Sequence, residues 1–155
     1  MSSMASSSSS SSKSNLSSYF DVFLTFSATK NFDEGFLVRS LRDDAIKIFV
    51  DCIFPWAGAT PLSTLEAMET SRVLMVIFTT EFLHGTENLF LERLQKVMEC
   101  HKSMNRPVVP VFWGTKQEQV VEHMAIRYKN LDSTGIGVEA ASQSGFTLST
   151  DFREQ

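Results

Sequence analysis

The chain has 155 residues, 43% of them hydrophobic and 21% charged, with a formal net charge of −4. That length holds one domain core, the apolar fraction excludes general disorder, and the missing basic excess removes the footprint of a nucleic-acid binder. Two cysteines, Cys52 and Cys100, make neither a disulfide framework nor a metal quartet, and no apolar run approaches the roughly 20 residues of a membrane span.

Residues 1–18 are mostly serine, with Lys13 the one charge. They lack the apolar core of a secretory signal, and for a chloroplast transit peptide they are short and without arginine. A solvated tail that cannot repay its ordering entropy is the expectation. Residues 20–26 (FDVFLTF) then read as a buried strand. Phe32, Phe36, Leu37 and Leu41 recur at helical spacing, with Arg39, Arg42, Asp43 and Asp44 facing away. Residues 46–50 form a second strand ending at Asp51, and a loop of residues 52–58 (CIFPWAG) follows. Residues 61–71 predict a helix presenting Leu62, Leu65 and Met68. The most apolar strand, residues 73–78 (VLMVIF), belongs at the centre of the sheet. Residues 88–101 give the clearest helix, with Phe90, Leu94, Val97, Met98 and His101 on one stripe. A fourth strand spans residues 108–113, where Pro110 argues for an edge or a bulge. A helix over residues 118–128 and a polar stretch without a strong strand complete the chain.

Strands alternating with helices through short connections predict a flavodoxin-like, three-layer α/β domain with a mainly parallel sheet of four or five strands. Val22, Leu24, Ile48, Val50, Val73, Met75, Ile77, Val109 and Val111 are its expected strand core. The domain is bounded at residues 19–146, between the serine-rich tail and a short tail over residues 147–155.

Five segments in this order resemble the plant-type Toll/interleukin-1 receptor (TIR) domain family. FDVFLTF is similar to its opening YDVFLSF-type strand, and KIFVD to the second strand that leads into its BB interaction loop. Residues 69–73 (ETSRV) look like its E-x-S-R-aliphatic joint. Residues 96–100 (KVMEC) fit its third helix, and residues 110–113 (PVFW) its PVFY strand. Ser144-Gly145-Phe146 is a looser match to an S-G-aromatic step after the last helix. The resemblance implies a signalling module of plant immunity or stress, working through contacts with other TIR-domain proteins or with itself. It implies no metal and no resident cofactor, no membrane, and a cytoplasmic setting that extends to the nucleus. The reduced state expected of the two cysteines agrees with that setting.

Departures from the family pattern bear on activity. Ser27-Ala28-Thr29-Lys30 stands where the family carries R-G-x-D, and the Ser-His pair of its first helix is absent. The family's third helix begins W-C-x-x-E-L, and that glutamate is needed to cleave NAD. Counting back from Cys100, Arg93 holds the glutamate position, with Leu89 and Phe90 in place of tryptophan and cysteine. Breaking the nicotinamide–ribose bond builds positive charge on the ribose, which a carboxylate stabilises and a guanidinium repels. Two like charges about 4 Å apart at an effective dielectric near 20 cost about 4 kcal/mol, roughly a thousandfold in rate. The expectation is therefore a protein without catalysis. The alternative is an NAD nucleosidase that uses the neighbouring Glu92, although adjacent helical residues diverge by about 100°. Arg93 and Glu92 are both expected to be solvated helix charges.

Other constellations carry less. Asp51, Thr79 and Lys116 are arranged like a phosphate-receiver site, but Ser27 and Ala28 cannot hold its magnesium. Residues 135–140 fit G-x-G-x-x-A without a following βαβ unit, and read as a flexible turn. His84, His101 and His123 have no metal-ligand spacing, and His101 diverges from Cys100 on their shared helix. The loop is more informative. Cys52, Ile53, Phe54, Pro55 and Trp56 are the candidate binding residues, because an exposed aromatic beside a proline makes a contact hot spot. Trp56 is expected at the surface. Ile53 and Phe54 either join it there or tuck inward.

Overall fold

Strands buried on both faces are apolar at nearly every position, and this property organises the molecule. The computed structural model describes residues 20–28, 34–54, 60–79, 87–127 and 135–148. In chain order these form β1 (Phe20–Ser27), α1 (Glu34–Asp43), β2 (Ile48–Ile53), α2 (Leu62–Glu69) and β3 (Ser71–Phe78). Then come α3 (Glu87–Met104), β4 (Val108–Trp113), α4 (Gln117–Arg127), α5 (Ile136–Ala141) and β5 (Phe146–Leu148). Residues 1–18 and, of the expected tail over residues 147–155, residues 149–155, together with Phe32, Pro55, Trp56 and His84, lie outside the described residues, whereas Thr147 and Leu148 belong to β5.

The five strands pair in the order β2-β1-β3-β4-β5, and every pairing is parallel. This is the doubly wound, flavodoxin-like α/β architecture expected from the sequence, with β3 in the middle. All nine expected core residues lie in these strands. Period-two alternation sends Phe23, Leu74, Val76, Phe78 and Phe112 to one face, where they pack with residues of α2, α3, α4 and α5. Val22, Leu24, Ile77, Val111 and Trp113 go to the other face, with Val38, Leu37 and Leu41 of α1. The heavy phenylalanine content fills the first of these layers. Phe78 meets Phe90 edge-on with ring centroids 5.8 Å apart and stacks on Phe112 at 5.7 Å.

Helix faces differ from the sequence expectation in two places. In α1, Phe36 is exposed and Val38 takes the inward position. In α2, Leu62 is 76% exposed, and Thr64, Ala67 and Met68 form the buried stripe. The axial rotation of each helix is set by packing on the sheet rather than by the outermost apolar residue.

Pro110 occupies neither an edge nor a bulge. The Leu74 N–H donates to the Pro107 carbonyl at 2.9 Å, so backbone groups alternate from Pro107 and Pro110 faces β5, not β3. Pairing with β5 begins one residue later, at Val111↔Phe146, and no ladder bond is lost. Gly145 passes so close to Pro110 that a Cβ there would lie 1.9 Å from the Pro110 carbonyl oxygen. The polar C-terminal stretch also differs from expectation. The glycine motif is the start of α5, with Gly135 at φ 72 as its cap, and β5 follows it after Gly145.

Candidate functional site

In doubly wound sheets, ligands and contacts gather at the carboxyl ends of the strands, near the point where strand order reverses. Here that point lies between β1 and β3. Register sets Thr25 directly opposite Asp51 on the α3-covered face of the sheet, and the Thr25 hydroxyl donates to Asp51 Oδ2 at 2.8 Å. Arg93 descends from α3 and its Nη1 pairs with the same carboxylate oxygen. Its Nε donates to Thr60 Oγ1 at 3.3 Å.

Arg93 is 4% exposed and Asp51 9%. This corrects the reading of Arg93 as a solvated helix charge. It follows Phe90 by three residues and precedes Val97 by four, which puts it inside the apolar stripe rather than beside it. Phe90, Leu94, Val97 and Met98 each contribute about 1.5–3 kcal/mol by burial, enough to hold the helix down over a charged residue. The charge is tolerable because Asp51 lies beneath it. Glu92, one residue earlier, is exposed.

Asp51, Thr25 and Thr60 form a constellation that sequence reasoning did not assemble. Asp51 stood out only as a possible phosphate acceptor, and its carboxylate is instead taken up by Arg93 and Thr25. A signal was available. Arg93 lies at stripe spacing, three residues after Phe90 and four before Val97, and a cation buried there calls for a carboxylate on the strands beneath it. At the same edge Ser27 is buried, and its hydroxyl has no hydrogen-bond partner among the described residues. Thr79 and Thr115 are also buried at the ends of β3 and β4. Lys116 is exposed. Among the described residues no group of three or more His, Cys, Asp and Glu side chains could hold a metal ion, and no helix is long and apolar enough to cross a membrane.

The candidate loop residues separate. Cys52 packs on the α1 side of the sheet, and Ile53, the last residue of β2, is 1% exposed in the opposite layer. Phe54 is 38% exposed, so of the two residues offered as alternatives only Ile53 tucks inward. Cys100 is a buried free thiol whose Sγ contacts the Met68 carbonyl at 3.7 Å. Burial pushes this thiol up from its ordinary value, against the opposing pull of Arg106 and with a further push from Glu69. His101 is half-buried, its Nδ1 2.6 Å from the Arg106 carbonyl oxygen.

Comparison with known proteins gives a consistent outcome. The family model for the TIR domain matches residues 19–134. The chain is 30% identical over 127 residues to the disease resistance-like protein DSC1 of Arabidopsis thaliana, covering 79% of this chain and 10% of that protein. It is 32% identical over 104 residues to the disease resistance protein RPV1 of Vitis rotundifolia, covering 65% of this chain and 7% of that one. The chain therefore spans a tenth or less of the length of these relatives. Among solved structures, it is similar to the TIR domains of the activated Roq1 resistosome that directly recognizes the pathogen effector XopQ. The TM-score is 0.65 at 23% identity, over 88% of this chain and 92% of that one.

Proposed function

The chain belongs to the TIR domain family, and from that membership we propose that it is a signalling module of plant immunity that acts through contacts with other TIR domains, without cleaving NAD. The immune role is taken from relatives named for disease resistance, and the association from the resistosome to which its fold is similar. One observation carries the non-catalytic half. The residue at the family's glutamate position is Arg93, and its guanidinium is buried against Asp51. This pair offers no free carboxylate to a cation developing on a ribose. The exposed Glu92 does not supply one to the same layer.

Contacts are assigned to the loop after β2, through Phe54, Pro55 and Trp56. Phe54 is the partly exposed aromatic that opens it. A proline limits the freedom the loop loses on binding, and aromatic anchors carry a large share of contact energy. Trp56→Ala should therefore weaken association with a TIR-domain partner by about 2 kcal/mol, some thirtyfold, while changing unfolding free energy by roughly 1 kcal/mol or less. Sedimentation or titration of the partner, paired with melting curves, measures both. Unaltered association in a folded Trp56→Ala protein would remove the loop from the contact surface.

A further inference from the structure

We propose that Arg93 is a positioning residue that ties together the two stems of the loop between β2 and α2, holding that loop at a fixed span for partner contact. This rests on the reading that the loop makes the contacts, and it adds a residue outside the loop that sets its geometry.

The two acceptors of Arg93 come from opposite sides of the loop. Asp51 lies in β2, three residues before Phe54, and its carboxylate takes Nη1. Thr60 immediately precedes Pro61, the N-cap of α2, and its hydroxyl takes Nε at 3.3 Å. Both bonds reach one planar group rooted in α3 by Phe90, Leu94 and Val97, which are 0–1% exposed. Thr25 of β1 also donates to the carboxylate at 2.8 Å, so the Asp51 end of the fork is itself held in place.

Arginine suits this task and lysine does not. A guanidinium presents several N–H donors in a rigid plane and can serve two acceptors at once, whereas an ammonium is a point charge on a flexible stem. The α2 end of the loop needs such a tie, because no side chain caps that helix and its N-cap is a proline. Fixing both ends removes conformational freedom that a partner would otherwise have to remove on binding.

Hydrogen exchange of the isolated protein tests the tie without any partner, so its outcome is independent of whether the loop binds anything. Thr60→Val removes the hydroxyl, keeps the side-chain shape and leaves the Asp51–Arg93 pair intact. Arg93→Lys keeps the charge on Asp51 but gives up the second acceptor. Both variants should speed exchange of the amides in residues 54–60 by about tenfold, as for loss of one hydrogen bond to a charged group, while residues 71–78 of β3 exchange as in wild type. Thr60→Ser, which restores the hydroxyl, should return the loop amides to the wild-type rate. Wild-type exchange of residues 54–60 in Thr60→Val would overturn the proposal. So would acceleration shared equally with residues 71–78, which would make the bond part of global stability alone.

Discussion

A guanidinium at position 93 can lie inside the domain because Asp51 is placed beneath it by the register of β1 and β2. A buried pair of this kind adds little net stability over apolar side chains of similar volume. Removing one partner alone leaves an uncompensated charge, at about 3–5 kcal/mol. Arg93→Met and Asp51→Val should therefore each lower the unfolding free energy by about that amount, and the double variant should lose less than either single one. Urea unfolding of the four proteins measures the coupling. Simply additive losses would show that the two charges do not meet. Arg93→Glu would set two carboxylates against each other and is expected to destabilise the domain rather than equip it for catalysis.

Cys100 gives a second prediction at this scale. Burial raises its folded-state pKa, so the thiol's contribution is fully present below its unfolded value of about 8.5 and declines as pH rises above it. In that range the unfolded thiol ionises while the native one stays protonated. The stability difference between wild type and Cys100→Ala should accordingly shrink as pH rises above about 8.5. Denaturant titrations across this range check it, and a difference independent of pH would contradict the assignment.

Among the elements, the end of α1 shows a local compromise. Ala45 donates to the Arg42 carbonyl at 2.9 Å and Ile46 to the Leu41 carbonyl at 3.1 Å, the paired bonds of a Schellman cap, with Ala45 at φ 62. Ile46 and Leu41 both pack on the α1-side core, as this motif favours. The left-handed position normally falls to glycine, because an L side chain there is strained by roughly 1–2 kcal/mol. Ala45→Gly should thus stabilise the domain by roughly 0.5–1 kcal/mol after glycine's larger unfolded entropy is counted, seen as a higher urea midpoint.

The same elements show what the sequence could reveal. β1, β3 and β4 were legible because strands buried on both faces are apolar throughout. α3 was legible because its stripe is long. Phe36 and Leu62 were misread because helical spacing gives a stripe without its exact rotation, which the sheet decides. α5 and β5 escaped for a different reason. α5 packs through Gly137, Ala140 and Ala141, small residues that leave almost no hydrophobic period, and β5 is three residues long with Phe146 facing outward. The site was legible only in part. Arg93 was marked by its place in the family pattern, but its partner lies 42 positions away and no local pattern links them.

For the whole molecule, strand order brings these features together. Because β1, β2 and β3 run parallel, their carboxyl ends lie at one edge, where Asp51, Arg93 and the stems of the loop meet. At the edge where the resemblance implies a catalytic carboxylate, this chain has a buried ion pair tied to the loop proposed for contact. Association and lack of turnover are thus attributed to the same few residues. The most direct test is to incubate the purified protein with NAD, over a wide range of protein concentrations, and to follow nicotinamide release. No release above the protein-free blank is the outcome expected of a module whose glutamate position is held by Arg93. Sustained release that scales with protein concentration, and that disappears in Glu92→Ala, would contradict it.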